Sequence, residues 1–175
     1  MEMNYYFNGD IQIAGKTGYY QVNWTYFPTH QNYYISIFAK DGSLARASHG
    51  SIDMARHSFA VTEASVLLSD IKQSAVSFVK ESLQQTYKDA YYVYYIVDNT
   101  LCAEVNFIFV REDNSAFTIT YYWNGVFTRF QENQFSNYQE KYEDIKASVE
   151  EVEHIKHNGE EVEINLFFEK IENVE

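Results

Sequence analysis

One cysteine, one proline and seven glycines in 175 residues leave no material for a disulfide framework or a Pro-rich or Gly-rich linker. A lone cysteine, Cys102, excludes an internal disulfide and fits a reducing compartment. Its neighbours Leu101, Ala103 and Val105 bring no cation to activate a thiolate, so it is expected to be a core thiol. Long apolar runs are also missing, with no window near the ~18 residues of a membrane span. The start, Met1-Glu2-Met3-Asn4-Tyr5-Tyr6, lacks the basic and apolar regions of a signal peptide, which predicts a cytoplasmic protein. Basic residues are scarce: 13 Lys and Arg stand against 25 Asp and Glu, net −12, with a pI of about 4.8. Nucleic acid and anionic membrane are thereby disfavoured as direct partners, because both need clustered cations; a basic partner fits instead.

Catalytic signatures are equally scarce. The chain has no Walker loop, no Gly-x-Gly-x-x-Gly, no Cys-x-x-Cys, no Asp-rich calcium loop, no nucleophile elbow and no His-Glu-x-x-His pair. His49 and His57 flank Asp53 in residue types that a hydrolase or metal site uses, but the spacing matches neither, so a polar loop or strand end is expected. His154 and His157 stand near Glu150 and Glu153. Imidazoles at a helix C-terminus are explained by the helix dipole and the nearby carboxylates without a metal. A non-enzymatic protein without cofactor or metal is the expectation.

What is present is apolar and aromatic. A 46% hydrophobic content, with 16 Tyr, 13 Phe and 2 Trp, is ample for one core, and without a linker the chain is expected to form a single domain, 1–175. Residues 1–61 predict a β-meander: Asn4–Phe7, Ile11–Ala14, Tyr19–Phe27, Tyr33–Lys40, Leu44–His49 and Ile52–Val61. Its turns are expected at Asn8-Gly9-Asp10, Gly15-Lys16-Thr17-Gly18 and Asp41-Gly42. Thr62 is a candidate N-cap for a helix over 62–88, whose apolar face is Leu67/Leu68, Ile71, Ala75, Phe78/Val79 and Leu83. Residues 90–131 predict a second meander, with strands Tyr91–Val97, Leu101–Arg111, Ala116–Trp123 and Val126–Gln131. Asn124-Gly125 is its hairpin turn.

A second helix is expected over 134–157, with a seam of Phe135, Tyr138, Tyr142, Ile145, Val149 and Val152 and an αL end at Asn158-Gly159. A last strand lies within 161–172. The order predicts an α+β fold, mostly antiparallel, with strand-rich meanders and two helices packed on the sheet. Six tyrosine doublets, such as Tyr91-Tyr92, Tyr94-Tyr95 and Tyr121-Tyr122, should each place one ring on either face of a strand.

The charge is unevenly spread. Residues 132–175 hold 13 acidic and 4 basic side chains, net −9, and residues 1–131 hold 12 and 9, net −3. The acidic helix and the segment after it are therefore the expected partner-binding region, through Glu140, Glu143, Asp144, Glu150, Glu151, Glu153, Glu160, Glu161 and Glu163. In size, composition and charge layout the chain looks like the small inhibitors that mobile elements aim at host nucleases, including anti-CRISPR and anti-restriction proteins. That resemblance implies a basic, nucleic-acid-handling partner such as a CRISPR effector, and mimicry of the DNA phosphate array. The alternative is a cytosolic immunity protein or a small-ligand-binding module.

Overall fold

The structure is a computed structural model that describes residues 3–13, 16–27, 32–39, 41, 44–51 and 59–172; side chains are described at 35–38, 41, 47, 48 and from 59 onward. It is an α+β fold built on one antiparallel sheet. The strands are β1 (Met3–Ile13), β2 (Lys16–Phe27), β3 (Asn32–Ala39), β4 (Leu44–Ser51), β5 (Asp89–Val97), β6 (Thr100–Leu101), β7 (Glu104–Val110), β8 (Ser115–Tyr122), β9 (Phe127–Gln134) and β10 (Ile164–Lys170). Helix α1 (Ala64–Ser77) lies between β4 and β5, and α2 (Tyr138–Lys156) between β9 and β10. The order across the sheet is β1-β2-β3-β4-β9-β8-β7-β5-β10, with β6 paired to β5. The two meanders meet where Arg46, Ala47 and Ser48 pair with Gln131, Phe130 and Arg129.

Strand alternation gives β5 and β7–β10 two apolar faces, and each helix takes one. Val105, Phe107 and Phe109 of β7, Phe117, Ile119 and Tyr121 of β8, and Phe130 of β9 face α1, where Leu68, Ile71, Ala75 and Val76 are buried against them. Tyr91 and Val93 of β5, Ile108 and Val110 of β7, Ala116 of β8 and Phe168 of β10 form a second cluster on the opposite face, with Tyr142 and Ile145 of α2 packed on it. The tyrosine doublets follow this partition where their side chains are described. Tyr91 is in the α2 cluster and Tyr92 packs against the α1 cluster; Tyr94 stacks on Phe167 at 4.6 Å, while the Tyr95 hydroxyl reaches α2.

Local turn chemistry holds in several places. The β8–β9 hairpin turns at Asn124-Gly125, with Gly125 at φ +84° and its N–H donating to Tyr122 O at 2.9 Å. β5 and β6 join through Asp98 and Asn99 at φ +45° and +59°, the left-handed pair of a two-residue type I′ turn.

Elsewhere, longer-range pairing prevails. Asn8, Gly9 and Asp10, expected as a turn, run straight through β1 opposite Gln21, Tyr20 and Tyr19, and Lys16, Thr17 and Gly18 belong to β2. Cross-strand pairing over the full length of both strands outweighs their turn preference. The expected strand Ile52–Val61 lies mostly outside the described residues, and Val61 itself opens a 3₁₀ turn, Val61–Glu63. Thr62 sits inside that turn rather than capping α1; the Glu63 carboxylate takes the capping part, accepting from Ala60 N at 2.9 Å.

The first helix also ends well before residue 88. After Ser77 it widens into a π turn, Phe78–Ser82, and Gln84 takes φ +50°. Gln85 N–H closes the end on Val79 O at 3.1 Å, and Lys88 N–H is already bonded to Val110 O. Packing of Tyr87 on Phe109, centroids 4.9 Å apart, draws this segment onto the sheet. No helix among the described residues is long and apolar enough to cross a membrane.

Candidate interaction surface

Helix α2 begins at Tyr138, four residues later than its apolar pattern suggests, because Asn137 caps it: its side-chain oxygen accepts from Glu140 N at 2.9 Å. Phe135 precedes the helix and stacks on Tyr91 at 5.3 Å. Aromatic packing then fixes which way the helix faces. Tyr138 lies flat on Phe168, centroids 4.7 Å apart, and its hydroxyl donates to Phe168 O at 2.6 Å.

From there the inward positions are Tyr142, Ile145, Val149 and Glu153. The last step departs from the apolar pattern. Val152, expected in the seam, is 42% exposed, while Glu153, expected on the acidic face, is 5% exposed. Polar groups at this end of the sheet explain the exchange. The Glu153 carboxylate accepts from the Tyr95 hydroxyl at 3.1 Å and from Lys156 Nζ at 3.1 Å, and His157 Nε2 lies 3.5 Å away. Valine satisfies none of these donors. Tyr95, pressed between burial and the Glu153 charge, has its phenol held well above the ordinary value.

With the seam placed, about 100° per residue puts Glu140, Glu143, Asp144 and Glu151 within roughly 60° of the direction opposite it and Glu150 about 80° from it. All five are exposed, as are Glu160, Glu161 and Glu163 in the segment that follows. Eight of the nine expected acidic residues thus face solvent and Glu153 does not. Hydrogen bonds from Ser136 and Asn137 hold the Glu140 carboxyl below its ordinary value.

The cations of α2 do little to offset this face. Lys141 folds inward to Asn133 Oδ1 at 3.2 Å and Gln134 O at 3.4 Å. Lys156 is bound to Glu153, and only Lys146 meets an outward carboxylate, Glu150, at 4.0 Å. Among the described residues, Glu140, Glu143, Asp144, Glu151, Glu160, Glu161 and Glu163 have no ion-pair partner.

A cavity of about 530 Å³ opens under the C-terminal end of α2, lined by Tyr95, Cys102, Glu104, Asn106, Glu153 and His157 among others. Cys102 Sγ accepts from Tyr95 N at 3.3 Å and donates to Glu104 O at 3.1 Å, and burial pushes its thiol up, away from thiolate chemistry. His154 is exposed, and among the described residues no group of three or more His, Cys, Asp or Glu is arranged to hold a metal ion. Of the other residues singled out by type, His49 lies on β4 with its side chain undescribed, and Asp53 and His57 lie outside the described residues. The Tyr95–Glu153–His157 grouping had no signal in the sequence beyond a glutamate at a seam position. Comparison with family models, curated proteins and solved structures returned no match.

Proposed function

We propose that the chain is a non-enzymatic inhibitor that binds a basic protein surface through the outer face of α2 and the segment Glu160–Glu163, and that its partner handles nucleic acid. The observation that carries this reading is the pairing pattern of α2 and the segment after it: five carboxylates of the helix and three of Glu160–Glu163 are exposed while Lys141 and Lys156 are engaged inward or by Glu153. Like charges on one helix face cost stability at each i,i+4 contact, such as Glu140–Asp144, and solubility alone does not require concentrating them. From Glu140 to Glu151 the helix rises about 16 Å, comparable with several phosphate steps of about 3.4 Å along one DNA strand. A rigid carboxylate array of that length suits the basic groove of a DNA-binding nuclease and draws it in at long range. Anti-CRISPR and anti-restriction proteins act on partners of this kind.

The test is DNA cleavage by a panel of purified nucleases, CRISPR effectors and restriction enzymes included, with and without the protein at low salt. Inhibition of at least one enzyme, lost when Glu140, Glu143, Asp144, Glu150 and Glu151 are neutralised together, supports the reading; inhibition that survives neutralisation contradicts it. A second reading, a small-ligand-binding module, draws on the cavities between α2 and the sheet.

A further inference from the structure

The second of those cavities, about 200 Å³, lies between α2 and the sheet, and Asn106, Thr118, Thr120, Arg129, Asn133 and Lys141 contribute its polar wall. Its chemistry is the reverse of the rest of the molecule. Three of its acceptors are occupied within the protein: Asn106 Oδ1 takes the Thr120 hydroxyl at 2.7 Å, Thr118 Oγ1 takes Asn133 Nδ2 at 2.9 Å, and Asn133 Oδ1 takes Lys141 Nζ at 3.2 Å. What remains is mainly donors, beside the Gln131 amide, which offers both a donor and an acceptor. The Asn106 amide nitrogen and the Arg129 guanidinium have no hydrogen-bond partner among the described residues, and the Lys141 ammonium, bonded to Asn133 and Gln134, has one proton to spare.

Arg129 is half-buried, yet no carboxylate of the described residues lies within ion-pair distance of it in a chain of net charge −12. The other described cations of β7–β10 and α2 are engaged: Arg111 grips Glu132 with both nitrogens at 2.9 Å, Lys170 meets Asp89 at 2.6 Å, Lys156 meets Glu153 at 3.1 Å and Lys146 meets Glu150 at 4.0 Å. Burial disfavours the charged form of Lys141, with Asp144 the charge that opposes this, and a half-buried cation such as Arg129 gains from a bound counter-charge.

We infer that this cavity binds a small anion bearing a carboxylate or phosphate group, with Arg129 and Lys141 as its paired cationic contacts and the Asn106 amide as a third donor. Arg presents a planar fork that matches either group, and Lys adds a point charge. Ile108 and Ile145 form an apolar wall, which suits the short carbon skeleton of a dicarboxylate or phosphomonoester. The volume is below the roughly 300–1,000 Å³ of drug-sized sites, so the ligand is small. This site lies on the inner side of α2 and is independent of the acidic outer face.

The experiment titrates the ¹⁵N-labelled full chain with inorganic phosphate and, separately, with succinate, ionic strength being matched with sodium chloride. Saturable shifts confined to residues around 106, 118, 120, 129 and 133, with a Kd on the order of 1 mM or tighter for at least one probe, are expected. Preference for phosphate identifies a phosphorylated ligand and preference for succinate a carboxylic acid. Arg129→Gln and Lys141→Gln should each weaken binding at least tenfold while retaining the dispersed spectrum of the parent; Lys146→Gln, on the exposed side, should leave it unchanged. Absence of saturable shifts for both probes overturns the proposal, as does equal affinity of the parent and whichever of the two cavity variants folds.

Discussion

Glu153→Ala tests the orientation of α2, and with it the membership of the acidic face. In the parent the carboxylate is 5% exposed and holds the Tyr95 hydroxyl at 3.1 Å and Lys156 Nζ at 3.1 Å. A hydrogen bond to a charged group contributes about 1.5–3 kcal/mol. The Lys156 contact is discounted to about 0.2–1 kcal/mol because its ammonium is largely exposed. Loss of one buried methylene adds about 0.8 kcal/mol. Together these predict destabilisation of roughly 3 kcal/mol for Ala. Glu153→Gln, which keeps an acceptor for Tyr95, should lose about 1 kcal/mol, and Glu143→Ala on the outer face less than about 0.5 kcal/mol. Urea unfolding at neutral pH, read by far-ultraviolet circular dichroism and by tyrosine fluorescence, measures all three. If Glu153→Ala and Glu143→Ala shift the midpoint equally at unchanged slope, α2 does not present Glu153 to the sheet and the assignment of its faces is wrong.

Alkaline pH should weaken the fold through its tyrosines. Tyr121 is raised by burial from 10.0 to about 12, so the stability it contributes is complete below pH 10 and is lost as pH rises toward 12. At pH 11 the loss from this residue comes to about 1.4 kcal/mol, and the difference between melts at pH 8 and pH 11 should shrink by that amount in Tyr121→Phe; an unchanged difference refutes it. Cys102, whose thiol burial pushes up, should react with a disulfide reagent at pH 8 at least ~10-fold more slowly in the folded protein than in urea. Equal rates would place it in solvent.

How much was legible in the sequence depends on the range of the interaction that decides each feature. Asn124-Gly125 and Asn158-Gly159 act within a few residues, and the structure gives Gly125, Asn158 and Gly159 the positive φ that such turns and caps require. The α+β class follows from apolar periods of two and of three to four. By contrast, Asn8-Gly9-Asp10 has the composition of a turn and lies in a strand because β2 pairs alongside it. Glu153 is legible as one more acid on an acidic helix until Tyr95, 58 residues away, supplies its donor. Arg129 and Asn133 alternate with Phe130 along β9 as solvent-facing residues would; only the crossing of α2 over the sheet turns them into the wall of a cavity. In each case the missing information is a partner distant in sequence, which neither period nor propensity encodes.

The most direct test of the central claim is the association rate of a captured basic partner with the parent and with a variant carrying Glu140→Gln, Glu143→Gln, Asp144→Asn, Glu150→Gln and Glu151→Gln, which preserves shape and leaves Glu153 in place. Because exposed pairs contribute only about 0.2–1 kcal/mol each, the five act together, and the on-rate should fall by at least ~10-fold at low salt. At 1 M salt, where the Debye length drops to about 3 Å, parent and variant should associate at the same slow rate. A variant that associates as fast as the parent at low salt would contradict the account and leave the outer face of α2 a solvated surface.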